Sequence, residues 1–248
     1  MSFLIMFDVK CIASSSAGNC FIVSDGITSL LLDAGVKMKE ILVACDFNMD
    51  KISGALITHE HKDHARSVED LTGRSIRIYG SAAVAAKFKD VRCVRPFARY
   101  AIDTVDFFAV PMEHDATCYA YCIRSVKTGD TLLYATDTKR MTEYIDGLGQ
   151  MIIESNYNVE LLENSVKPRK LVRRIADCHM SVETLAKYIS RMDQGKLQEI
   201  YLCHLSDDHS DVEKMVEKVR KVTQAKIFVC NKNGGVTDAA GIGTGKDN

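Results

Sequence analysis

The sequence predicts an α/β fold in which two sheets pack face to face with helices outside. Three observations predict it. Apolar runs of strand length are joined by hairpin turns, helical patterns interleave between the groups, and the second half repeats the alternation. Strands grouped this way, with helices between the groups, are best buried in stacked layers.

Taken in order, residues 3–7 (Phe-Leu-Ile-Met-Phe) read as a first strand, stopped by Asp8. The runs 21–23 and 29–32 flank Asp25-Gly26, a hairpin signal. Further strands are expected at 54–58, 76–79, 105–110, 118–124 and 131–135, the last two joined by Thr128-Gly129-Asp130. Helical patterns fall at 66–72, 82–88 and 138–146. In the second half, 151–153 reads as a strand, 169–176 and 181–193 as helices, and 200–202 as a strand. A helix over 211–223 has Ser210 and Glu213 at the spacing of a capping box, and 226–229 is a last strand. With only three prolines and no serine-rich linker, residues 1–230 read as one domain. The glycine-rich stretch 231–248 reads as a mobile tail.

Composition narrows the function. A 46% hydrophobic and 26% charged chain is ordinary for a soluble globular protein. A net charge of −1 excludes a global basic field for nucleic acid, so any such contact must be local. Nine cysteines, an odd number without a CxxC pair, read as reduced thiols of a cytoplasmic protein. No run reaches transmembrane length, and no membrane contact is expected. Oligomeric state is left open.

The densest chemical information is His59-Glu60-His61-Lys62-Asp63-His64, which ends the apolar stretch 55–57. His59, His61, Asp63 and His64 are potential metal ligands, and imidazole with carboxylate suits zinc, manganese or iron. Three of the seven histidines are packed here, which a plain charged loop does not require. Other candidates recur just after apolar strands: Asp33, His114, Asp137 and His204. Each alone is an ordinary turn residue. Together they mark the edge of a sheet.

These residues carry a resemblance to the metallo-β-lactamase superfamily. The matching motifs are Leu31-Leu32-Asp33-Ala34-Gly35, Thr58-His59-Glu60-His61-Lys62-Asp63-His64, His114, Thr136-Asp137-Thr138 and His204, spread over residues 10 to 230. The resemblance implies a four-layer αββα sandwich with two divalent metal ions at one edge. It implies that His59, His61 and His114 hold one metal, that Asp63, His64 and His204 hold the other, and that Asp137 bridges. Asp33 resembles the family's outer aspartate, which orients the loop. Within the superfamily, Ser14 to Asn19, Glu154-Ser155-Asn156, Cys178-His179-Met180-Ser181 and His204-Leu205-Ser206 are similar to the YycJ/WalJ group, associated with DNA 5′-exonuclease or phosphodiesterase activity. The chain departs from that group's glycines at Ser14, Lys139, Cys178 and Cys203, and from its asparagine at His209, without losing a ligand.

The reading is therefore a dinuclear metal-dependent phosphodiesterase acting as a DNA exonuclease. Two metals about 3.5–4 Å apart can share a hydroxide and clamp an in-line displacement at phosphorus. Asp63 and His179 are the catalytic candidates, His179 as proton donor to the leaving oxygen. Ser15, Ser16, Asn19, Asn156 and Ser181 are candidate substrate contacts. On a helix, Arg169/Arg173 and Lys170/Arg174 fall at i,i+4, so Arg173 and Arg174 could track a phosphate backbone. His209 sits in an acidic loop that reads as surface. The alternatives are a cyclic-nucleotide or nucleotide-signal phosphodiesterase of the kind that would serve defence evasion, a thioesterase or lactonase, and a metal-binding module without catalysis. Aspartate where dedicated β-lactam hydrolases of the superfamily commonly carry cysteine disfavours antibiotic hydrolysis. His61, where flavo-diiron relatives carry glutamate, disfavours redox iron chemistry.

Overall fold

A computed structural model describes residues 6–242. One sheet is built, in chain and spatial order, from β1 (Asp8–Ser15), β2 (Gly18–Ser24), β3 (Ser29–Leu32), β4 (Gly54–Ile57), β5 (Ile78–Gly80) and β6 (Arg92–Cys93). The other holds β7 (Tyr100–Ile102), β8 (Val105–Met112), β9 (Cys118–Ser125), β10 (Thr131–Ala135), β11 (Gln150–Glu154), β12 (Glu199–Cys203), β13 (Lys226–Cys230) and β14 (Val236–Asp238), again in spatial sequence. Each sheet starts with antiparallel hairpins and continues with parallel strands, β3 to β6 and β10 to β13, and β14 closes the second edge antiparallel. The helices are α1 (Met38–Ala44), α2 (Lys62–Ala65), α3 (Val68–Thr72), α4 (Ala82–Lys87), α5 (Val159–Glu163), α6 (Arg169–Cys178), α7 (Val182–Ile189) and α8 (Val212–Arg220).

Strand periodicity explains the layers. Leu30 and Leu32 of β3 face the core between the sheets, whereas Leu31 faces a core shared with Ile41 of α1, Leu71 of α3 and Val84 of α4. On β12, Tyr201 and Cys203 point inward, while Ile200 and Leu202 meet Leu185 of α7 and Val216 of α8. Three apolar layers thus separate four structural ones, the αββα sandwich.

Several elements differ from expectation. The first strand begins at Asp8, and residues 3–5 lie outside the described residues. Phe7 is buried, and its backbone N–H and C=O both pair with the Gln150 side-chain amide at 2.9 Å. No helix forms over 138–146. There the Thr138 N–H donates to Glu154 and the Lys139 N–H to the Glu113 carbonyl, which pins the start of the segment to the rim. Asp211, not Ser210, caps α8, accepting from Lys214 N–H at 3.1 Å. The stretch expected to be a loose tail contains β14, and Gly235 N–H donates to the Cys11 carbonyl at 2.9 Å. Residues 243–248 of that stretch lie outside the described residues. All nine cysteines are free, eight of them buried. Among the described residues no helix is long and apolar enough to cross a membrane.

Asp25 ties the sheets together at the rim where the β2–β3 hairpin turns. Its Oδ1 accepts from Ile27 and Thr28 N–H at 3.0 and 2.8 Å, and its Oδ2 from Thr104 and Ser125 hydroxyls at 2.8 and 2.7 Å. Burial would raise its pKa, but these donors outweigh burial and hold it below the usual carboxylate value. A depressed folded pKa stabilises the protein above the unfolded value, and that stability is lost as pH falls through the folded one. Asp25→Ala should therefore cost about 2–3 kcal/mol at neutral pH by orphaning these donors. Thermal melts from pH 7 down to 3 should show the gap between wild type and variant shrinking. A gap that stays constant with pH would contradict the assignment.

Candidate metal centre

The strand directions collect the polar residues. Strands β3, β4, β8, β10, β11 and β12 all present their carboxyl ends at one rim. The residues just past those ends are Asp33, the segment 58–64, His114, Asp137 and His204, while Glu154 is the last residue of β11. Asp33, Asp137 and His204 have φ of 57°, 51° and 53°, left-handed conformations that turn the chain sharply where each strand stops. Aspartate and histidine enter that region more readily than most residues.

The loop after β3 is the cradle of the 59–64 segment. Ala34 N–H donates to the His64 carbonyl at 2.7 Å, Gly35 N–H to the Asn19 carbonyl at 2.9 Å, and Ser67 N–H to the Ala34 carbonyl at 2.9 Å. A Cβ on Gly35 would lie 1.6 Å from the Asp63 carbonyl oxygen, so only glycine permits this approach. Asp33, fully buried, accepts from Thr58 N–H at 2.8 Å and from Tyr134 Oη at 2.7 Å, and its Oδ2 lies 2.7 Å from His64 Nδ1.

The seven ligand candidates converge. Donor atoms of His59, His61 and His114 lie within 4.8 Å of one another, as do those of Asp63, His64, Asp137 and His204. Asp137 stands between the two groups. Its Oδ2 is 3.3 Å from His64 Nε2 and 3.9 Å from both His59 Nε2 and His114 Nε2, and its Oδ1 is 3.2 Å from His204 Nδ1. Burial disfavours the Asp137 carboxylate, but His204 and His64 hold its pKa well below the usual value. Burial and His64 push the His59 pKa well down. Burial also opposes a charged His64, yet Asp137 and Asp33 raise its pKa well above normal. The donor set fits divalent cations by its chemistry. It fits by its loose ends too: among the described residues His204 Nε2 is buried without a hydrogen-bond partner, a cost that native interiors rarely carry, and His114 Nε2 makes no aligned hydrogen bond although the Asp115 carboxylate lies beside it.

A cavity of about 500 Å³ opens over this cluster. Among the candidate substrate contacts, Ser16, Asn156 and Arg174 line it. Arg174 pairs with Asp115 at 3.1 Å, and Asp115 lies 3.1 Å from His114 Nε2. Four others are placed differently. Ser15 is buried and accepts from Ala17 N–H. Asn19 is buried with its amide 3.1 Å from His64 Nε2. Ser181 is buried as the N-cap of α7, accepting from Thr184 N–H at 3.2 Å. Arg173 points to solvent with a side chain 88% exposed, 3.8 Å from Asp177 one turn on. His209, expected at the surface, is only 3% exposed and sits 2.8 Å from Ser165 Oγ. Ser14, where the similar group has glycine, accepts from His204 N–H at 2.8 Å.

Sequence reasoning gave no role to Glu154. It is fully buried, with Oε1 2.7 Å from His179 Nδ1 and 2.8 Å from His204 Nδ1, and Oε2 accepting from Thr138 N–H at 2.9 Å. Burial disfavours the His179 imidazolium, but the Glu154 carboxylate outweighs it and pushes the pKa up to about 9. The signal that marked Asp33 and Asp137, an acid ending an apolar strand, marks Glu154 equally.

Comparison with known proteins follows the same lines. A family model described as "Beta-lactamase superfamily domain" matches residues 28–229. The chain is 28% identical over 239 residues to exodeoxyribonuclease YycJ of Bacillus anthracis, covering 88% of this chain and 89% of that one. It is 26% identical over 245 residues to exodeoxyribonuclease WalJ of Streptococcus pneumoniae, covering 90% and 91%. Among solved structures it is similar to the metallo-β-lactamase fold protein YhfI of Bacillus subtilis, with a TM-score of 0.71, 18% identity, and 93% and 98% coverage.

The cradle can be tested directly. Gly35→Ala should displace the Asp63 segment and lower the melting temperature. Asp33→Ala, which strips a buried partner from His64, should cost about 3–5 kcal/mol. Chemical denaturation measures both, and a Gly35→Ala protein with unchanged stability would refute the close approach.

Proposed function

This chain belongs to the metallo-β-lactamase superfamily, and from that premise we propose that it is a metal-dependent phosphodiesterase acting as a DNA exonuclease. It is a metal-dependent hydrolase by its family. The nuclease reading is supported by the exodeoxyribonuclease names of YycJ and WalJ, which it resembles along most of its length. The observation that carries the metal assignment is the convergence of five imidazoles and two carboxylates at one rim, with His204 Nε2 buried among them without a hydrogen-bond partner among the described residues.

In this reading His59, His61 and His114 would hold one divalent cation and Asp63, His64 and His204 a second, with Asp137 standing between the two groups. Zinc or manganese suits these donors, and iron is compatible. When bound, the pair supplies Lewis acidity to phosphorus and lowers the pKa of the attacking water. The chain's own residues do the rest. Asp63 orients the nucleophile by accepting a hydrogen bond. Burial would raise the Asp63 pKa, but the neighbouring His64 holds it below normal and keeps the acceptor ionised. His179, whose imidazolium form the Glu154 carboxylate favours, lies at the cavity wall, where it can pass a proton to the departing alkoxide. Glu154 holds the imidazolium in place and is a positioning residue, since its carboxylate is buried behind His179. Ser16, Asn156 and Arg174 are the substrate contacts that remain in reach of a phosphate.

A panel of end-labelled DNA, bis-p-nitrophenyl phosphate and cyclic mononucleotides, each with added Mn²⁺ or Zn²⁺, tests the proposal. DNA should be shortened from one end, and Asp63→Ala should abolish all turnover. His179→Gln should lower kcat about 10²–10⁴-fold with little change in KM. Hydrolysis of cyclic mononucleotides without DNA cleavage would replace the exonuclease by the smaller-substrate reading. No phosphodiester hydrolysis with either metal would end both.

A further inference from the structure

Helix α6 carries an apolar stripe that no core uses. Leu171 and Ile175, one turn apart, line the cavity over the metal centre, yet neither belongs to any of the three apolar cores. Leu171 is 39% exposed. Leu205, directly after His204 and packed against the core beneath α7 and α8, adds a third aliphatic side chain to the cavity lining. An amphipathic helix ordinarily buries such a stripe. Here ion pairs hold it over the opening: Lys167, just before α6, pairs with Asp208, and Arg174 pairs with Asp115. The helix ends at the reacting centre, where the Cys178 carbonyl lies 3.3 Å from His114 Nδ1 and His179 meets Glu154.

We propose that this stripe is a clamp for one unpaired nucleobase, held between Leu171 and Ile175 on one side and Leu205 on the other. The inference rests on the phosphodiesterase reading and names the part of the substrate its cavity takes beyond the phosphate. Along the helix, Ile175 and Leu171 lie about 6 and 12 Å from His179, at 1.5 Å per residue. A sugar and base extend over that span from a phosphate at the metals. Lys167 and Arg174, each already paired with an aspartate, flank the stripe, while the aliphatic side chains offer no hydrogen bonds to a base edge. The clamp therefore accepts any base but requires it to be out of a helical stack, as apolar side chains around extruded bases do elsewhere. A cavity of this volume lies within the range that holds small ligands.

Paired oligonucleotides that differ only in whether the terminal nucleotide carries its base or is abasic test the clamp. The wild-type protein with Mn²⁺ should lose about tenfold or more in kcat/KM on the abasic substrate, the usual scale for losing base contacts. Leu171→Ser/Ile175→Ser should lose a similar factor on the normal substrate and little on the abasic one. Equal rates on both substrates with wild type, or equal losses on both with the variant, would overturn the clamp. Calorimetric binding of dAMP against deoxyribose 5-phosphate gives a readout without turnover. Wild type should prefer dAMP and the variant should not. If neither oligonucleotide is cleaved, the nuclease reading fails, and the dAMP preference still decides the clamp.

Discussion

His64 is anchored at Nδ1 by the Asp33 carboxylate and turns Nε2 toward Asp137 and the Asn19 amide, and the arrangement of the rim follows from that placement. Asp33 lies 2.7 Å from Nδ1 and Asp137 lies 3.3 Å from Nε2. Asp33 comes from the first sheet and Asp137 from the second, so the imidazole bridges the sandwich. Tyr134, three residues before Asp137 on the second sheet, reinforces the bridge through its hydroxyl on Asp33. Charges buried this deeply cost several kcal/mol each unless paired and hydrogen-bonded. The sheets must therefore sit in one relative position for the pairing to close. The apolar core between them sets the spacing, and the Asp33–His64–Asp137 chain sets the registration at the rim.

The same balance explains why the cluster is suited to cations. Asp137 faces four imidazoles. Asp33, Asp115 and Glu154 share the task of pairing them, and even so His204 Nε2 has no partner among the described residues. Glu154 relieves His204 and His179 but is itself fixed by the Thr138 and Met180 backbone N–H groups. Two divalent ions would complete the coordination of the remaining atoms, and the outer partners Asp33 and Glu154 would then fix the ring planes, as second-layer partners of metal histidines do.

Much of this was legible in the sequence, for a physical reason. Strand-length apolar runs fix where strands end, and a polar residue just past such an end has to face the rim. Asp33, His114, Asp137 and His204 follow that logic, and the dense 59–64 run needed no geometry at all. No helix forms over 138–146, and the start of that segment is instead pinned to the rim by Glu154 and Glu113, partners distant in sequence. Asp211 displaced Ser210 as a cap although both are good cap residues one position apart. Choosing between neighbours of equal propensity requires tertiary contacts, which a periodicity argument does not contain.

Substrate handling was the least legible part, and α6 shows why. Consecutive residues on a helix are about 100° apart, so a run of cations is spread around the cylinder. Arg174 reaches into the cavity toward Asp115 while its neighbour Arg173 points to solvent. Spacing gives the relative phase of the residues but not the absolute rotation of the helix. That rotation is set by contacts at its two ends, Lys167 to Asp208 before it and Cys178 to His114 at its close. Once those ends are fixed, Leu171 and Ile175 turn toward the cavity together with Arg174, because i, i+3 and i+4 share a face. The apolar stripe, which on an ordinary surface helix would mark the buried side, here lines the cavity over the metal centre.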